Sequence, residues 1–345
     1  MTELITRGGV RWSSHIDTTA ELALDAVRTF TDADNPSAFL AVNQGNSHFQ
    51  VPGLAGLVVY RPAGRYLVQF AGPFAPESTY YELLAAFREF AREQGKTVVG
   101  IQLQRLDAES YAKNGFTVNQ VGASYAIDLE QFTLQGTKFM RLRNKIARAH
   151  KAGLVVREVE WADWADKIEA LDRVWLGSKG EHVAELEFLV GQRGGEMQRH
   201  RRLAIGTIDD ELMGYISYSP VYGSRPGWMH DLSRRVPNKL PGIMEAINAG
   251  AIGRLAEEGV HWLHFGFTPF TSLNEEYELP GHSIGFRQFM HLLWEYGEQV
   301  YPAKTQLAYK QKWEQHLVLP EYVAFDGPAD IGAFAAIFRA AGALG

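Results

Sequence analysis

The chain has 345 residues, 46% of them hydrophobic and 12% aromatic, with a formal net charge of −6 and no cysteine. That much apolar material furnishes one large core or two medium ones, and two domains are expected. The lack of cysteine excludes disulfides, thiolate nucleophiles and Cys-containing zinc sites, and the acidic balance argues against a protein coated in nucleic acid while leaving room for one local basic groove.

In chain order, the first predicted helix covers Thr18 to Thr31. Leu54 to Phe74 reads as strand, Pro-Ala-Gly turn and strand. Tyr81 to Leu103 (YELLAAFREFAREQGKTVVGIQL) is an amphipathic helix, an acidic–x–Gly stop and a strand with Val98, Val99, Ile101 and Leu103. Asp128 to Gly136 closes this first unit. Lys138 to Lys151 (KFMRLRNKIARAHK) then carries six Lys or Arg and no acid. At 100° per residue, Lys138, Arg141, Lys145 and Arg148 fall on one side of a helix and Phe139, Leu142, Ile146 and Ala149 on the other. Such a face suits a polyanion, since phosphate binding draws on clustered Lys and Arg; an ordinary solvated helix face has the same pattern.

A second unit follows. Gly153 to Trp161 opens it as a strand, and Trp164 to Ser178 is a helix. Arg201 to Pro220 is strand, Asp-Asp-Glu turn and strand, and WMHDLSRR is a further strand. Ile243 to Phe267 repeats the grammar of residues 81–103, a helix, an acidic–x–Gly stop and a strand, so the chain reads as a tandem α/β duplication. Further helices are expected at Ile284 to Tyr301 and after Gly327.

Asp231 and Arg234 lie three apart in HDLSRR, either as functional groups or as a strand-end salt bridge. His230 has the right pKa for a general base, but strand alternation points it away from Asp231. His261 and His264 face opposite sides and do not make a metal pair, and neither an H-E-x-x-H nor a G-x-S-x-G pattern occurs. Glu245 either faces a site or complements the start of its helix. Lys304, Tyr309, Lys310 and Lys312 form a late basic and aromatic cluster. Arg193, Arg199, Arg201 and Arg202 could extend the positive surface. Trp228, Phe265, Phe267 and Phe270 are core residues or stacking platforms for unpaired bases; Phe265 and Phe267, two apart on a strand, are expected on the same side.

The stretch GTKFMRLRNKIARAHKAGLVVREV, with MHDLSRRVPNKLPGIMEAI and AKTQLAYKQKWEQHLVLPEYVAF, resembles the C-terminal catalytic region of the bacterial phosphatidylglycerol lysyltransferases, the multiple peptide resistance factors. The likeness is strongest from Gly136 to Phe325; through the first 130 residues the order of elements carries it more than identities. It implies an α/β fold of tandem GNAT-like (acetyltransferase-like) domains, 1–135 and 153–345, joined by a basic helix over 136–152, with the second domain catalytic. The implied activity is aminoacyl transfer from aminoacyl-tRNA to phosphatidylglycerol, or to a small amine or hydroxylamine as in related natural-product enzymes. By the same resemblance Asp231 and Arg234 match an Asp-x-x-Arg motif, Asp231 holding the aminoacyl amino group or orienting the acceptor and Arg234 meeting a phosphate or the developing oxyanion. Glu245 is a third catalytic candidate. Lys138, Arg141, Lys145, Arg148, Lys304, Lys310 and Lys312 are assigned to tRNA or to a lipid headgroup.

An ordinary acetyltransferase of this fold cradles the coenzyme A pyrophosphate on backbone amides at a Gly-rich turn. Here the turn is RVPNKLPGIM (235–244), whose two prolines remove two donors. Aminoacyl-tRNA as co-substrate, with no bound cofactor or metal, is therefore expected; a coenzyme A-dependent acyltransferase and a non-enzymatic tRNA- or phospholipid-binding protein are the alternatives. No window approaches the ~18 uninterrupted apolar residues of a spanning helix, and the first residues lack a signal-peptide pattern, so a cytoplasmic protein is expected, free or peripheral to the inner face of the membrane. The membrane-bound relatives carry a long transmembrane domain that this sequence lacks.

Overall fold

The computed structural model describes residues 4–7, 10–13, 20–31, 35–179, 186–237, 240–299 and 301–343. Thr18 and Thr19 of the first expected helix, Asn238 and Lys239 of the Pro-rich turn, and Val300 lie outside the described residues.

Strands β1 (Leu4–Arg7) and β2 (Val10–Ser13) pair with each other. Helix α1 (Ala20–Phe30) and a buried 3-10 turn (Ala38–Val42) lead to β3 (Ser47–Phe49), β4 (Leu57–Ala63) and β5 (Tyr66–Phe74). After these come α2 (Glu77–Glu93), β6 (Thr97–Leu103), α3 (Arg105–Lys113) and β7 (Thr117–Asp128). The basic segment is α4 (Met140–Lys151).

The second half runs β8 (Val155–Val159), α5 (Trp161–Gly177), β9 (Arg202–Ile208), β10 (Glu211–Val221) and β11 (Gly227–Arg235). It continues with α6 (Ile243–Glu257), β12 (Trp262–Pro269), α7 (Ile284–Tyr296), α8 (Ala303–Gln311), β13 (Leu317–Phe325) and α9 (Ile331–Ala340). The helix expected to reach Tyr301 stops at Tyr296, where Gly297 begins a 3-10 turn. Asp209 and Asp210 both take left-handed backbone angles and so form the tight turn between β9 and β10 that matches strand twist.

Among the described residues, eleven strands make one mixed sheet in the order β3-β4-β5-β6-β13-β7-β12-β11-β10-β9-β8. The two parallel pairings are β5 with β6, bridged by α2, and β11 with β12, bridged by α6. Each is the strand–helix–strand unit that the sequence repeat marks, since parallel neighbours require a crossover. Strand β13 returns from late in the chain and lies between β6 and β7. It carries Pro320, which a strand flanked on both sides tolerates poorly. Pro320 pairs with Ala123 of β7, while pairing to β6 begins only at Tyr322, so the missing N–H falls where β6 has ended.

Helices α2 and α3 cover one face of the first half through Leu83, Phe87 and Tyr111, and α1 and α9 cover the other through Leu24 and Phe334. In the second half, α4 and α6 pack on one face through Leu142 and Ile247, and α5 on the other through Ile168 and Leu171. Alternation accounts for this split: Ala204 and Ile216 face α6, whereas Ile205 and Tyr215 face α5. The expectation that Phe265 and Phe267 share a side fails. A bulge opens between His264 and Gly266, and Gly266 adopts a left-handed φ of 64°, so Phe265 joins the α6-side core and Phe267 packs against the core of the opposite half.

Candidate active site

The parallel pairing of β11 with β12 lasts for three residue pairs, ending at Met229 with His264, after which the strands part. Asp231 and Arg234 follow immediately on β11. Opposite Asp231 the register with β10 shifts between Ser217 and Tyr218, a bulge of the sort that re-aims side chains near sites.

The two residues do not form a salt bridge with each other; each has its own counter-ion. Asp231 accepts a hydrogen bond from Ser219 Oγ and one from the Gly191 amide, and its Oδ2 lies 3.9 Å from Nε of buried Arg201. Burial pushes the Asp231 carboxyl above its ordinary pKa, and Arg201, Ser219 and the Gly191 amide hold that rise back. Arg234, 4% exposed, places Nη1 2.8 Å from Oδ2 of Asp172 on α5 and stacks over the Trp175 ring at 5.0 Å. Asp172 also takes Arg193 Nε at 2.8 Å and the Tyr215 hydroxyl at 2.8 Å. Burial raises the Asp172 carboxyl, and Arg234 opposes the rise most. Among the described residues, Arg201, Arg234 and Arg193 thus meet Asp231 and Asp172 in a poorly hydrated place.

His230 packs against Tyr218, Phe265 and Tyr309 and is half-buried, and loss of hydration drives its pKa down to about 3, so it is a neutral histidine. Glu245 sits in the first turn of α6. Its Oε1 receives Lys312 Nζ at 2.9 Å and Lys145 Nζ at 3.4 Å. Burial pushes the Glu245 carboxyl up, but Lys312 and then Lys145 outweigh it and its pKa ends below the ordinary value. The helix start is pressed against α4: Gly242 has φ 93°, and a Cβ there would stand 2.2 Å from the Lys145 carbonyl oxygen. That contact is what brings Lys145 to Glu245.

The basic segment presents Lys138, Arg141 and Arg148 to solvent and buries Phe139, Leu142 and Ala149, with Lys138 and Phe139 in the 3-10 turn Thr137–Phe139 that precedes α4. Lys304 is also exposed, with Nζ 3.1 Å from the Glu295 carbonyl oxygen. Lys310 corrects the sequence reading. It does not lie on a phosphate-facing surface; its Nζ is buried and donates to the carbonyls of Gly266 at 2.7 Å and Phe267 at 3.2 Å. Burial brings Lys310 down to about 7 against the opposing field of Glu321, itself pushed up to about 7 by burial. Ser124 of β7 hydrogen-bonds Glu321.

Other residues expected on the positive or stacking surface have partners within the chain, Arg199 on the surface and the rest further in. Arg202 is shared between Glu158 and Glu258, Arg199 pairs with Glu21, and Phe265 and Phe270 are core residues. Sequence reasoning missed Asp172, Arg201 as a buried residue, and Glu321. One signal for Asp172 was available: it falls four residues after Ile168 on the apolar face of α5, a position where an acid needs a partner.

Comparison with known proteins agrees with this architecture. The chain is 23% identical over 299 residues to the phosphatidylglycerol lysyltransferase of Bacillus subtilis, covering 82% of this chain and 34% of that protein. It spans between about a quarter and a third of the length of this and a similar curated relative. Its structure superposes on L-PGS from Bacillus licheniformis with a TM-score of 0.74 at 19% identity, covering 92% of this chain and 95% of that one. FemX gives a TM-score of 0.51 at 10% identity, covering 90% and 96%. The fold is the mixed α/β arrangement expected, shared with L-PGS and FemX. No described helix is long and apolar enough to cross a membrane. Residues 26–325 match the family described as phosphatidylglycerol lysyltransferase, C-terminal, and the chain belongs to that family.

Proposed function

We propose that this chain transfers an aminoacyl group from aminoacyl-tRNA to a hydroxyl or amine acceptor, either phosphatidylglycerol or a small soluble amine or hydroxylamine. The observation that carries this reading is the pairing of Asp231 with Arg201 and of Arg234 with Asp172, both buried, just beyond the point where β11 leaves β12. In this reading residues 153–345 carry the reacting groups, residues 1–135 shape the acceptor side, and the basic helix within 136–152 docks the tRNA acceptor end.

The ester at the tRNA 3′ end is already activated, so positioning and charge stabilisation suffice. The acceptor's lone pair attacks the ester carbonyl carbon, a tetrahedral intermediate forms, and the C–O bond to the tRNA ribose breaks. The proton lost by the acceptor ends on the released ribose hydroxyl. Asp231 holds the aminoacyl ammonium group or orients the acceptor. Arg234 supplies positive charge for the developing oxyanion, and Asp172 fixes its guanidinium. Glu245 gathers Lys145 and Lys312, which with Lys138, Arg141, Arg148 and Lys304 meet phosphates.

The test is to incubate the purified protein with radiolabelled aminoacyl-tRNAs and either phosphatidylglycerol vesicles or a panel of small amines and hydroxylamines. Label in the lipid fraction selects the lipid acceptor, and label in a small aqueous product selects the soluble one. Intact aminoacyl-tRNA in both mixtures, with acetyl coenzyme A consumed instead, overturns the proposal.

A further inference from the structure

We infer that Asn43, in the first half of the chain, is a positioning residue for Asp231 and sets the carboxylate from two directions. This rests on the proposed role of Asp231 in aminoacyl transfer. Asn43 caps the end of the buried 3-10 turn Ala38–Val42 and is itself buried. Its side-chain amide is divided between two partners. Oδ1 accepts from Arg201 Nη2 at 3.0 Å, and Nδ2 donates to the Val190 carbonyl at 2.9 Å.

The first route runs through Arg201. Its guanidinium is stacked over Phe39 of the same turn at 4.9 Å while its Nε faces Asp231. A buried guanidinium held on one edge by an amide and on one face by a ring has few orientations left, so the charge facing Asp231 is fixed from the first half. The second route runs through the loop 190–192. Val190 is bound by Asn43, and Gln192 is bound at both ends to Gln44: the Gln44 amide donates to its Oε1 at 2.7 Å and its Nε2 donates to the Gln44 carbonyl at 3.0 Å. Gly191, between those two anchors, donates its amide to Asp231. The approach is close enough that a Cβ on Gly191 would stand 2.3 Å from the Asp231 carboxyl carbon. Any shift of this loop is therefore transmitted to Asp231.

The two halves meet at Asp231, and the first half supplies no reacting group there but fixes where the carboxylate stands. Misplacement of a positioned group by about 1 Å can cost a rate on the order of 100-fold. Asn43→Ala should lower kcat by about tenfold or more, with the KM for aminoacyl-tRNA held within about twofold. Gln192→Ala removes only the outer anchor of the loop and serves where Asn43→Ala folds poorly; it should lower kcat by about threefold. An unchanged kcat in both folded variants, or a rise in KM alone, overturns the inference. Should the wild-type protein transfer nothing from aminoacyl-tRNA, the aminoacyl-transfer reading fails by itself. The positional claim is then decided by a double-mutant cycle of Asn43→Ala with Asp231→Asn in urea denaturation, where coupling supports it and additivity overturns it.

Discussion

The two strand–helix–strand units part their parallel strands in the same way and finish the opening with opposite charges. In the first, β5 and β6 pair from Tyr66–Thr97 to Phe70–Ile101, and the parting residues Ala71 and Gln102 both take left-handed φ near 55° (56° and 55°). Strain of this sort costs on the order of 1–3 kcal/mol per residue and needs packing to hold it. The freed Gly72 amide is answered by a carboxylate: Asp107 of α3 accepts from it and from the Tyr80 hydroxyl at 2.7 Å, beside a cavity of about 370 Å³. In the second unit the left-handed residue is Gly266, which has no Cβ to strain, and the freed groups are carbonyls answered by the Lys310 ammonium. A duplicated scaffold thus exposes donors in one copy and acceptors in the other. The neighbouring side chains follow that polarity, and the Asp231–Arg234 cluster lies in the copy completed by a cation.

The most severe way to break this comparison is to neutralise one carboxylate in each copy. Asp231→Asn should reduce aminoacyl transfer by about 100-fold or more, as loss of a group that organises the transition state does. Asp107→Asn should leave transfer within about twofold and lower stability by about 1–3 kcal/mol, because its role is to satisfy a backbone amide. Initial rates and urea midpoints on the same preparations separate the two effects. Equal loss of transfer in both variants would mean that the first copy takes part in the chemistry.

Next in size is Asp172. Removing it with Asp172→Ala leaves Arg234 and Arg193 without the carboxylate they share, and breaking a buried pair costs about 3–5 kcal/mol. The urea midpoint should fall accordingly, and Asp172→Asn should recover part of the loss by keeping the bond to the Tyr215 hydroxyl.

A gentler probe is pH acting on Lys310 and Glu321. Glu321 is raised from 4.5 to about 7, so the folded protein keeps a proton that the unfolded chain loses, and this contribution to stability is full below pH 4.5 and gone by about 7. Lys310 is lowered from 10.5 to about 7, so its contribution is full above pH 10.5 and is lost as pH falls toward 7. The pair should therefore give the wild-type protein a shallow stability minimum near neutrality. Between pH 5 and 7, Glu321→Gln should remove a decline of up to about 1 kcal/mol per pH unit. Denaturation curves at half-unit intervals measure it, and parallel profiles for variant and wild type would show that Glu321 does not hold its proton.

Much of this was legible in the sequence, and the parts that were not share a cause. The repeated units, the buried and exposed sides of α4 and the hairpin at Asp209–Asp210 are local, set by periodicity and turn chemistry within a few residues. Asp172 with Arg234, Arg201 with Asp231, and Glu321 beside Lys310 are joined only by the fold, and no spacing in the chain encodes them. Lys310 misled because it lies between Lys304 and Lys312 near the end of a short helix, where periodicity cannot tell the solvent face from a face turned onto freed carbonyls. Strand β13 was not read from the sequence, and its place between β6 and β7 is set by pairing with residues about 200 positions earlier. Phe267 was misplaced because a bulge and a left-handed glycine reverse the alternation that placed it.

The smallest expected effects lie on the basic helix and divide by whether a lysine is already held. Arg141 and Arg148 point to solvent, whereas Lys145 and Lys312 share the Glu245 carboxylate. Arg141→Gln and Arg148→Gln should each weaken tRNA binding by roughly threefold whatever amino acid is carried, and each should reduce the slope of log affinity against log salt by about 1. Lys312→Gln should change that slope less, since a charge satisfied by Glu245 has fewer counterions to release. Glu245→Gln should then tighten tRNA binding by freeing both lysines, even if transfer slows. Filter binding at several salt concentrations reads all four variants, and a Lys312→Gln slope as shallow as that of Arg141→Gln would place Glu245 outside the control of the phosphate surface.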